Sequence, residues 1–154
     1  MPRMKKLALV LTLLYYAPVA VAQSNLGELL DTGATRLSAE EFRQEVVGRI
    51  IVGPTATGGR LELMYATNGI VAGTVSLARA AFTLAPVSGD WKIDENGRIC
   101  ASMRIGGTGA SASSVGQVSL PARCQSWFKY AGQYFLSDSD SDRSAKVFRR
   151  TLKQ

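Results

Sequence analysis

The 154-residue chain contains no histidine. This absence excludes the Ser-His-Asp and Cys-His arrangements of nucleophilic enzymes, because both need an imidazole to accept the proton. It also excludes zinc sites that use histidine, and two cysteines alone are a poor set of zinc ligands. We therefore expect no catalytic set of these kinds, no metal site and no cofactor, which favours a protein without enzymatic activity and leaves carboxylate pairs as the candidates for catalysis.

The chain also lacks a dense block of charge of one sign. Its formal net charge of +6 comes from 18 basic and 12 acidic residues. The basic residues are scattered except for a short cluster over 146–153. Nucleic-acid-binding surfaces have a denser basic stripe, interleaved with aromatic side chains that stack on bases. We therefore expect no nucleic-acid partner.

The N-terminus has the features of an export signal. Basic residues within 3–6 precede an apolar run over 7–16, and residues 20–22 form a small-x-small cleavage pattern. The apolar run is shorter than the roughly 20 residues needed to span a bilayer. We predict a cleaved signal peptide over 1–22 and a single domain over 23–154, located in the periplasm or secreted, with no stable membrane insertion.

Only two cysteines are present, Cys100 and Cys124. An exported chain meets an oxidising compartment, in which paired cysteines are expected to form a disulfide. Closing a loop of about 25 residues stabilises a fold by about 3 kcal/mol in the chain-entropy treatment, provided that the two backbones approach closely enough. We predict a Cys100–Cys124 disulfide.

The clearest helix signal lies before residue 48. Ser38 and Glu41 have the spacing of a capping box, while Leu37 and Phe42 have that of a hydrophobic staple. Gly48 suits the left-handed position that ends many helices. The sequence therefore predicts one helix here, and a shorter helical turn over 25–30 precedes it.

Strand and turn patterns occupy the rest of the chain. Asn68-Gly69 and Asn96-Gly97 are hairpin signals, because Asn-Gly supplies the positive φ angles of a tight primed turn. We predict an α+β fold, with one or two N-terminal helices followed by an antiparallel sheet of about seven strands that either closes into a barrel or stays open. The strand-like segments are 49–52, 60–65, 70–75, a segment near 81–84, 91–93, 98–103, 123–130, 133–136 and 146–148.

Residues 105–117 consist almost entirely of glycine, serine and other small residues. Such a segment lacks the apolar bulk of a core element, so we predict a mobile loop. Long loops in small domains often have a function. A tolerated insertion, held at its base by the disulfide, is the alternative.

Acidic residues are the remaining candidates for chemistry. Asp90, Asp94 and Glu95 lie close in sequence, and a buried carboxylate pair can perform acid–base catalysis. However, Asp94 and Glu95 precede a turn, where acidic side chains usually accept turn hydrogen bonds. The aspartates within 137–142 resemble the start of an EF-hand loop, but the positions that need glycine and glutamate hold arginine. We predict turn residues here and no calcium loop.

Aromatic residues cluster around the cysteines in sequence. We identify a candidate ligand or partner surface on Trp91, Arg98, Trp127, Tyr130 and Tyr134. Its partner would be an unknown protein, glycan or small ligand of the cell envelope. Packing in the core is the alternative fate of these rings in so small a domain.

Several motifs together resemble a known kind of domain. They are Gly89-x-Trp91, Asn96-Gly-Arg-x-Cys100 and Cys124-x-x-Trp127, which resemble exported bacterial domains of unknown function. The resemblance implies a small antiparallel sheet with a disulfide and brings no activity. The same second half is similar to the exported metalloprotease-inhibitor barrels, which use a free N-terminal segment against the protease. The matching segment here begins at Gln23.

These observations favour an exported, non-enzymatic binding or envelope-accessory protein of unknown ligand. Two alternatives remain open. One is an inhibitor of a secreted protease, and the other is a carboxylate-dependent hydrolase that acts through Asp90, Asp94 or Glu95.

Overall fold

A computed structural model describes residues 23–76, 84–106 and 117–153. The predicted signal peptide, most of the predicted loop over 105–117, and residues 81–83 lie outside this part of the chain. The helices and strands found within it are α1 (Leu26–Asp31), β1 (Thr35–Arg36), α2 (Ala39–Glu45), β2 (Ile50–Pro54), β3 (Arg60–Tyr65), β4 (Ile70–Ser76), β5 (Leu84–Ile93), β6 (Ile99–Ile105), β7 (Val118–Tyr130), β8 (Gln133–Ser137) and β9 (Val147–Leu152).

Strands β2 to β9 form a closed antiparallel barrel. Each pairs with the next in sequence order, and β9 returns to pair with β2 through Ile51↔Leu152 and Val52↔Thr151. Strand β7 is long enough to pair with β6 along its first part and with β8 along its last part. The two-residue β1 adds to the side of β7. Among the described residues, neither helix has the length and apolar character required to cross a bilayer.

The antiparallel sheet is confirmed, but the α+β class with about seven strands is corrected: the barrel has eight strands and the helices are short. Sequence patterns left closure open because the closing pair, β2 and β9, is far apart in the chain. Leu84, the last residue of the predicted segment near 81–84, and the predicted strand over 91–93 belong to one element, since β5 runs unbroken from Leu84 to Ile93. Pro121, which cannot donate a ladder hydrogen bond, lies in β7 at a bulge opposite β6.

Helix α2 begins and ends as the sequence predicts. The Ser38 hydroxyl accepts a hydrogen bond from the Glu41 amide at 3.2 Å, and the Glu41 carboxylate accepts one from the Ser38 amide at 2.7 Å. Leu37 and Phe42, the staple pair, are both buried. Gly48 has a φ of 82°, as the end of the helix requires. The helix therefore enters the barrel at a fixed angle.

One end of the barrel is filled by Phe42 of α2 and three aromatic rings from the strands. Phe42 makes edge-to-face contacts with Tyr65, Trp91 and Trp127, with ring centroids 5.3–5.7 Å apart. Tyr65 and Trp91 are themselves in edge-to-face contact at 5.7 Å. Such contacts add about 0.5–1.5 kcal/mol each beyond the burial of area. We call these four residues the aromatic plug.

The hairpin turns differ in type from the prediction. Among the described residues, Ala131 is the single non-glycine with a positive φ, so only the glycine of Asn68-Gly69 and of Asn96-Gly97 is left-handed. Both residues of Ala131-Gly132 have positive φ, which gives the β7–β8 hairpin the primed two-residue turn.

The carboxylate of Glu45 fastens α2 to the outside of the plug. It accepts hydrogen bonds from the Lys129 ammonium at 2.7 Å and from the Tyr134 hydroxyl at 2.6 Å. The bonds from Lys129 and Tyr134 lower the pKa of Glu45 below its ordinary value of 4.5. The contact therefore stabilises the fold above that pH and is lost as the pH falls through the folded-state pKa.

We expect Glu45→Gln to lower the free energy of unfolding at neutral pH by up to about 1 kcal/mol, because the pair is partly exposed. In acid, below the folded-state pKa, the variant and the parent should unfold alike. Glu40→Gln on the exposed face of α2 is the control. Denaturant unfolding at both pH values measures the difference, and an equal loss at both would contradict the assignment.

Two glycines let neighbouring strands approach closely. A Cβ atom on Gly73 would overlap the carbonyl oxygen of Glu62, and one on Gly89 would overlap that of Ser102. Gly89 is the glycine of the Gly-x-Trp motif, so packing accounts for its identity. Neither strand can relieve the overlap without a backbone shift.

Gly89→Ala should therefore lower the free energy of unfolding by about 3 kcal/mol. Ser88→Ala, one residue earlier and exposed, should change it by less than about 0.5 kcal/mol. Equilibrium denaturation of both variants tests this. Equal stabilities for the two variants would show that the approach at Gly89 is not tight.

Candidate functional site

The barrel interior contains a cavity at the end away from the aromatic plug. Its volume is about 430 Å³, within the range of about 300–1,000 Å³ that is usual for ligand pockets. Residues 55–57, between β2 and β3, border its mouth. Its apolar lining consists of Leu61, Leu63, Val75, Val87, Ala101, Met103, Ile105, Leu120, Pro121, Leu136 and Phe148.

The cavity follows from the alternation of side chains along the strands. In β5, for example, Ala85 and Val87 are buried while Leu84, Pro86 and Ser88 are exposed. Apart from Phe148, inward positions beside the cavity hold small or medium side chains, whereas Phe42, Tyr65, Trp91 and Trp127 lie in the aromatic plug. Protein interiors are normally packed without voids of this size. The unfilled space is therefore a candidate binding site.

One apolar residue of the lining, Leu120, is also accessible from solvent. Its side chain lines the cavity and is 42% exposed. An exposed apolar side chain at a cavity favours the entry of an apolar molecule.

One charged side chain, Arg150, is buried in the wall of the cavity. Strand β9 alternates Phe148, Arg150 and Leu152 toward the interior, and Arg150 is only 6% exposed. Its Nη1 donates hydrogen bonds to the carbonyl oxygens of Pro54 at 3.0 Å and Arg149 at 2.9 Å. Burial lowers the pKa of Arg150 to about 10, so the guanidinium stays charged at neutral pH.

No side-chain carboxylate neutralises this charge. All 12 aspartates and glutamates of the chain lie in the described residues, and none forms an ion pair with Arg150. The Phe148 ring lies beside this charge, with its centroid 5.8 Å from Cζ of Arg150. Burial raises the pKa of Tyr65 to about 12, and the positive charge of Arg150 acts on that pKa in the opposite direction. A buried charge without a counter-ion costs several kcal/mol.

Gly53 on β2 makes room for the guanidinium. A Cβ atom at this position would lie 2.6 Å from Nη1 and 2.9 Å from Cδ of Arg150. The space above Gly53 and the hydrogen bond to the Pro54 carbonyl therefore fix the position of the Arg150 side chain where β9 pairs with β2. We call Gly53 and the Pro54 carbonyl the seat of Arg150.

A second arginine at the cavity, Arg123, has a different environment. Its side chain is 66% exposed and forms an ion pair with Asp138. The Gln125 side chain donates to the same carboxylate at 2.8 Å. The charge at the mouth is therefore neutralised, whereas the charge in the interior is not.

The five predicted binding residues do not form one surface. Trp127 and Tyr134 are buried, and Trp91 is partly buried in the aromatic plug. Tyr130 is 37% exposed beside the β7–β8 turn, while Arg98 lies at the β5–β6 turn. Whether any of them contacts a partner stays a prediction.

The disulfide between Cys100 and Cys124 is present, with the two residues directly opposite each other on β6 and β7. Asp94 lies near it, but the sulfur atoms are bonded to each other and offer no thiolate to a metal. The Asp94 carboxylate accepts bonds from the Arg98 amide at 2.8 Å and the Asn96 amide at 2.9 Å. The bond from the Arg98 amide is the main cause that lowers the Asp94 pKa, the opposite of what a general acid needs.

The aspartates that resemble a calcium loop are engaged within the chain. Asp138 pairs with Arg123, as described, and Asp140 pairs with Arg36 at 2.9 Å. Asp142 accepts hydrogen bonds from the amide and hydroxyl of Ser144, which lower its pKa. These carboxylates serve as turn and rim contacts.

The chain matches no protein-family model, no curated protein and no solved structure. The cavity and its arginine are therefore interpreted from their own geometry. Sequence reasoning missed Arg150, which it assigned only to a basic cluster.

In the ligand-free protein, Arg150→Met should raise the free energy of unfolding by about 2 kcal/mol, because an apolar side chain replaces a buried charge without a counter-ion. Arg149→Met, on the exposed face of the same strand, should have little effect. Denaturant midpoints of the two variants provide the measurement. A lower stability of Arg150→Met, without a similar loss in Arg149→Met, would show that the Arg150 charge does not destabilise the ligand-free protein.

Proposed function

We propose that the protein is an exported, non-enzymatic binding protein that holds a small, largely apolar ligand inside its barrel. The observation that carries this proposal is the cavity of about 430 Å³ with apolar walls. Apolar pockets with a few placed polar groups are the usual form of small-molecule sites. The barrel is closed by β9 and crosslinked by the disulfide, so the site is held in a stiff frame.

The proposal of export rests on the leader-like segment over 1–22 and on the disulfide. Disulfides persist mainly in oxidising compartments outside the cytosol. A binding protein in the periplasm or outside the cell is in keeping with both features.

The geometry gives less support to the two alternatives. The inhibitor hypothesis needs a free segment from Gln23 onward, but Asn25 bridges to Lys146 and the Leu26 amide donates to the Ala145 carbonyl at 2.8 Å. The hydrolase hypothesis needs a carboxylate free to react, while Asp94 is occupied by its turn. Both stay predictions.

A neutral fluorescent dye tests the proposal. N-phenylnaphthylamine fluoresces in apolar surroundings, and the purified protein with its disulfide intact should bind it saturably. Val87→Phe fills the cavity from β5 and should weaken binding by about tenfold or more. Ser88→Phe adds the same ring on the outer face of the strand and should leave binding unchanged.

Thermal unfolding of both variants confirms that they are folded before titration. The absence of saturable dye binding by the parent protein would overturn the proposed function. Equal binding by Val87→Phe and the parent would place the dye outside the barrel, with the same consequence.

A further inference from the structure

One edge of the Arg150 guanidinium is open to the cavity. Nη1 is used by the two backbone carbonyls, while Nε and Nη2 donate to no described residue. Ser126 Oγ is the one side-chain polar atom of the described residues that is fully sealed and without a partner. Nε and Nη2 are therefore not sealed, and Arg150 lines the cavity. Two donors on one edge match the two oxygens of a carboxylate.

The charge of the site determines what it selects. Among the described residues that line the cavity, Arg150 alone carries an uncompensated positive charge, because the other arginine of the lining, Arg123, is paired with Asp138. A monoanion neutralises the interior site, whereas a dianion would bring one negative charge in excess into an apolar space. Because the guanidinium is already largely buried, an incoming carboxylate supplies an interaction that replaces part of the hydration lost on folding.

The remaining walls select the rest of the molecule. Leu63, Val75, Val87 and Leu136 surround the cavity. The polar side chains of the lining other than Arg150 already bond within the chain: Arg123 and Gln125 bind Asp138, and the hydroxyls of Thr55 and Thr57 bond to each other. A polar body would lose its hydration there without compensation. The site therefore fits a molecule that is apolar except at one end.

We propose that the barrel ligand is an apolar monocarboxylic acid, such as a medium-chain fatty acid, whose carboxylate binds the Nε and Nη2 edge of Arg150. The proposal rests on the proposed function, since it names the class of ligand held in the same cavity. Gly53 and Pro54 act as positioning residues that hold the guanidinium in place.

A matched pair of ligands tests the assignment. Decanoate and decanol differ in the terminal group, and each is titrated against protein loaded with N-phenylnaphthylamine. Decanoate should displace the dye on the order of 30-fold more effectively than decanol, as expected for a charge-assisted hydrogen-bonded pair. Decyl phosphate, titrated likewise, distinguishes a dianionic head group and should compete more weakly than decanoate.

Variants of the arginines complete the design. Arg150→Met should abolish the preference for decanoate over decanol, measured as the ratio of their displacement constants in the same variant. Arg150→Lys, which keeps the charge but lacks the fork, should retain part of the preference. Arg149→Met, on the exposed face of β9, should retain all of it.

The outcomes distinguish the carboxylate assignment from the more general proposal that the barrel binds an apolar ligand. Dye binding with equal displacement by decanoate and decanol would overturn the carboxylate assignment and leave apolar binding intact. A preference for decyl phosphate that is lost in Arg150→Met would also overturn it, in favour of a phosphate ligand. Failure of the dye and of all three competitors to bind would overturn the proposed function itself.

Discussion

The pairing of β9 with β2 is the interaction on which the rest of the structure depends. It consists of a short register, Ile51↔Leu152 and Val52↔Thr151, yet it joins the two ends of the sheet. Closure satisfies the hydrogen-bonding groups that an open edge would expose. It also converts one face of the sheet into an interior, so that without this seam there is neither a cavity nor a buried end for the aromatic plug.

The same seam carries the polar centre of the candidate site. Arg150 comes from β9, and its seat, Gly53 and the Pro54 carbonyl, comes from β2. The arrangement lowers the stability of the protein, because a buried charge without a counter-ion is destabilising. Other parts of the barrel offset this loss of folding free energy. They are the aromatic plug, the disulfide and the close strand packing at Gly73 and Gly89. Strain of this kind is common at functional sites.

Local features of the fold could be predicted from the sequence, and long-range ones could not. The capping box of Ser38 and Glu41 and the order of most strands depend on neighbours in the chain, and both are present. The disulfide could be predicted because the chain has only two cysteines and a leader-like segment that predicts export to an oxidising compartment, and the bond is present. Barrel closure was left open because it joins strands about a hundred residues apart by two residue pairs. The turn types were predicted wrongly because each Asn-Gly lies in a three-residue loop, closed between Ala66 and Ile70 and between Asp94 and Arg98, in which only the glycine is left-handed.

The candidate site was the least predictable part. Phe148-x-Arg150-x-Leu152 does place an arginine on the apolar face of a strand, and this signal was present in the sequence. It had little weight while β9 was expected to end at residue 148, because the alternation is visible only when the strand continues to Leu152. Trp127 illustrates the converse: its ring was a candidate for a surface, and the inward alternation of β7 buries it in the aromatic plug.

The most direct test of the account is the ¹⁵N NMR signal of the Arg150 side-chain Nε–H group, assigned by comparison with Arg150→Lys and followed during ligand addition. The account predicts a large downfield shift of the Nε–H proton with decanoate and no comparable shift with decanol. Decanoate that displaces the dye from the barrel while the Arg150 signal stays unchanged would contradict the central claim.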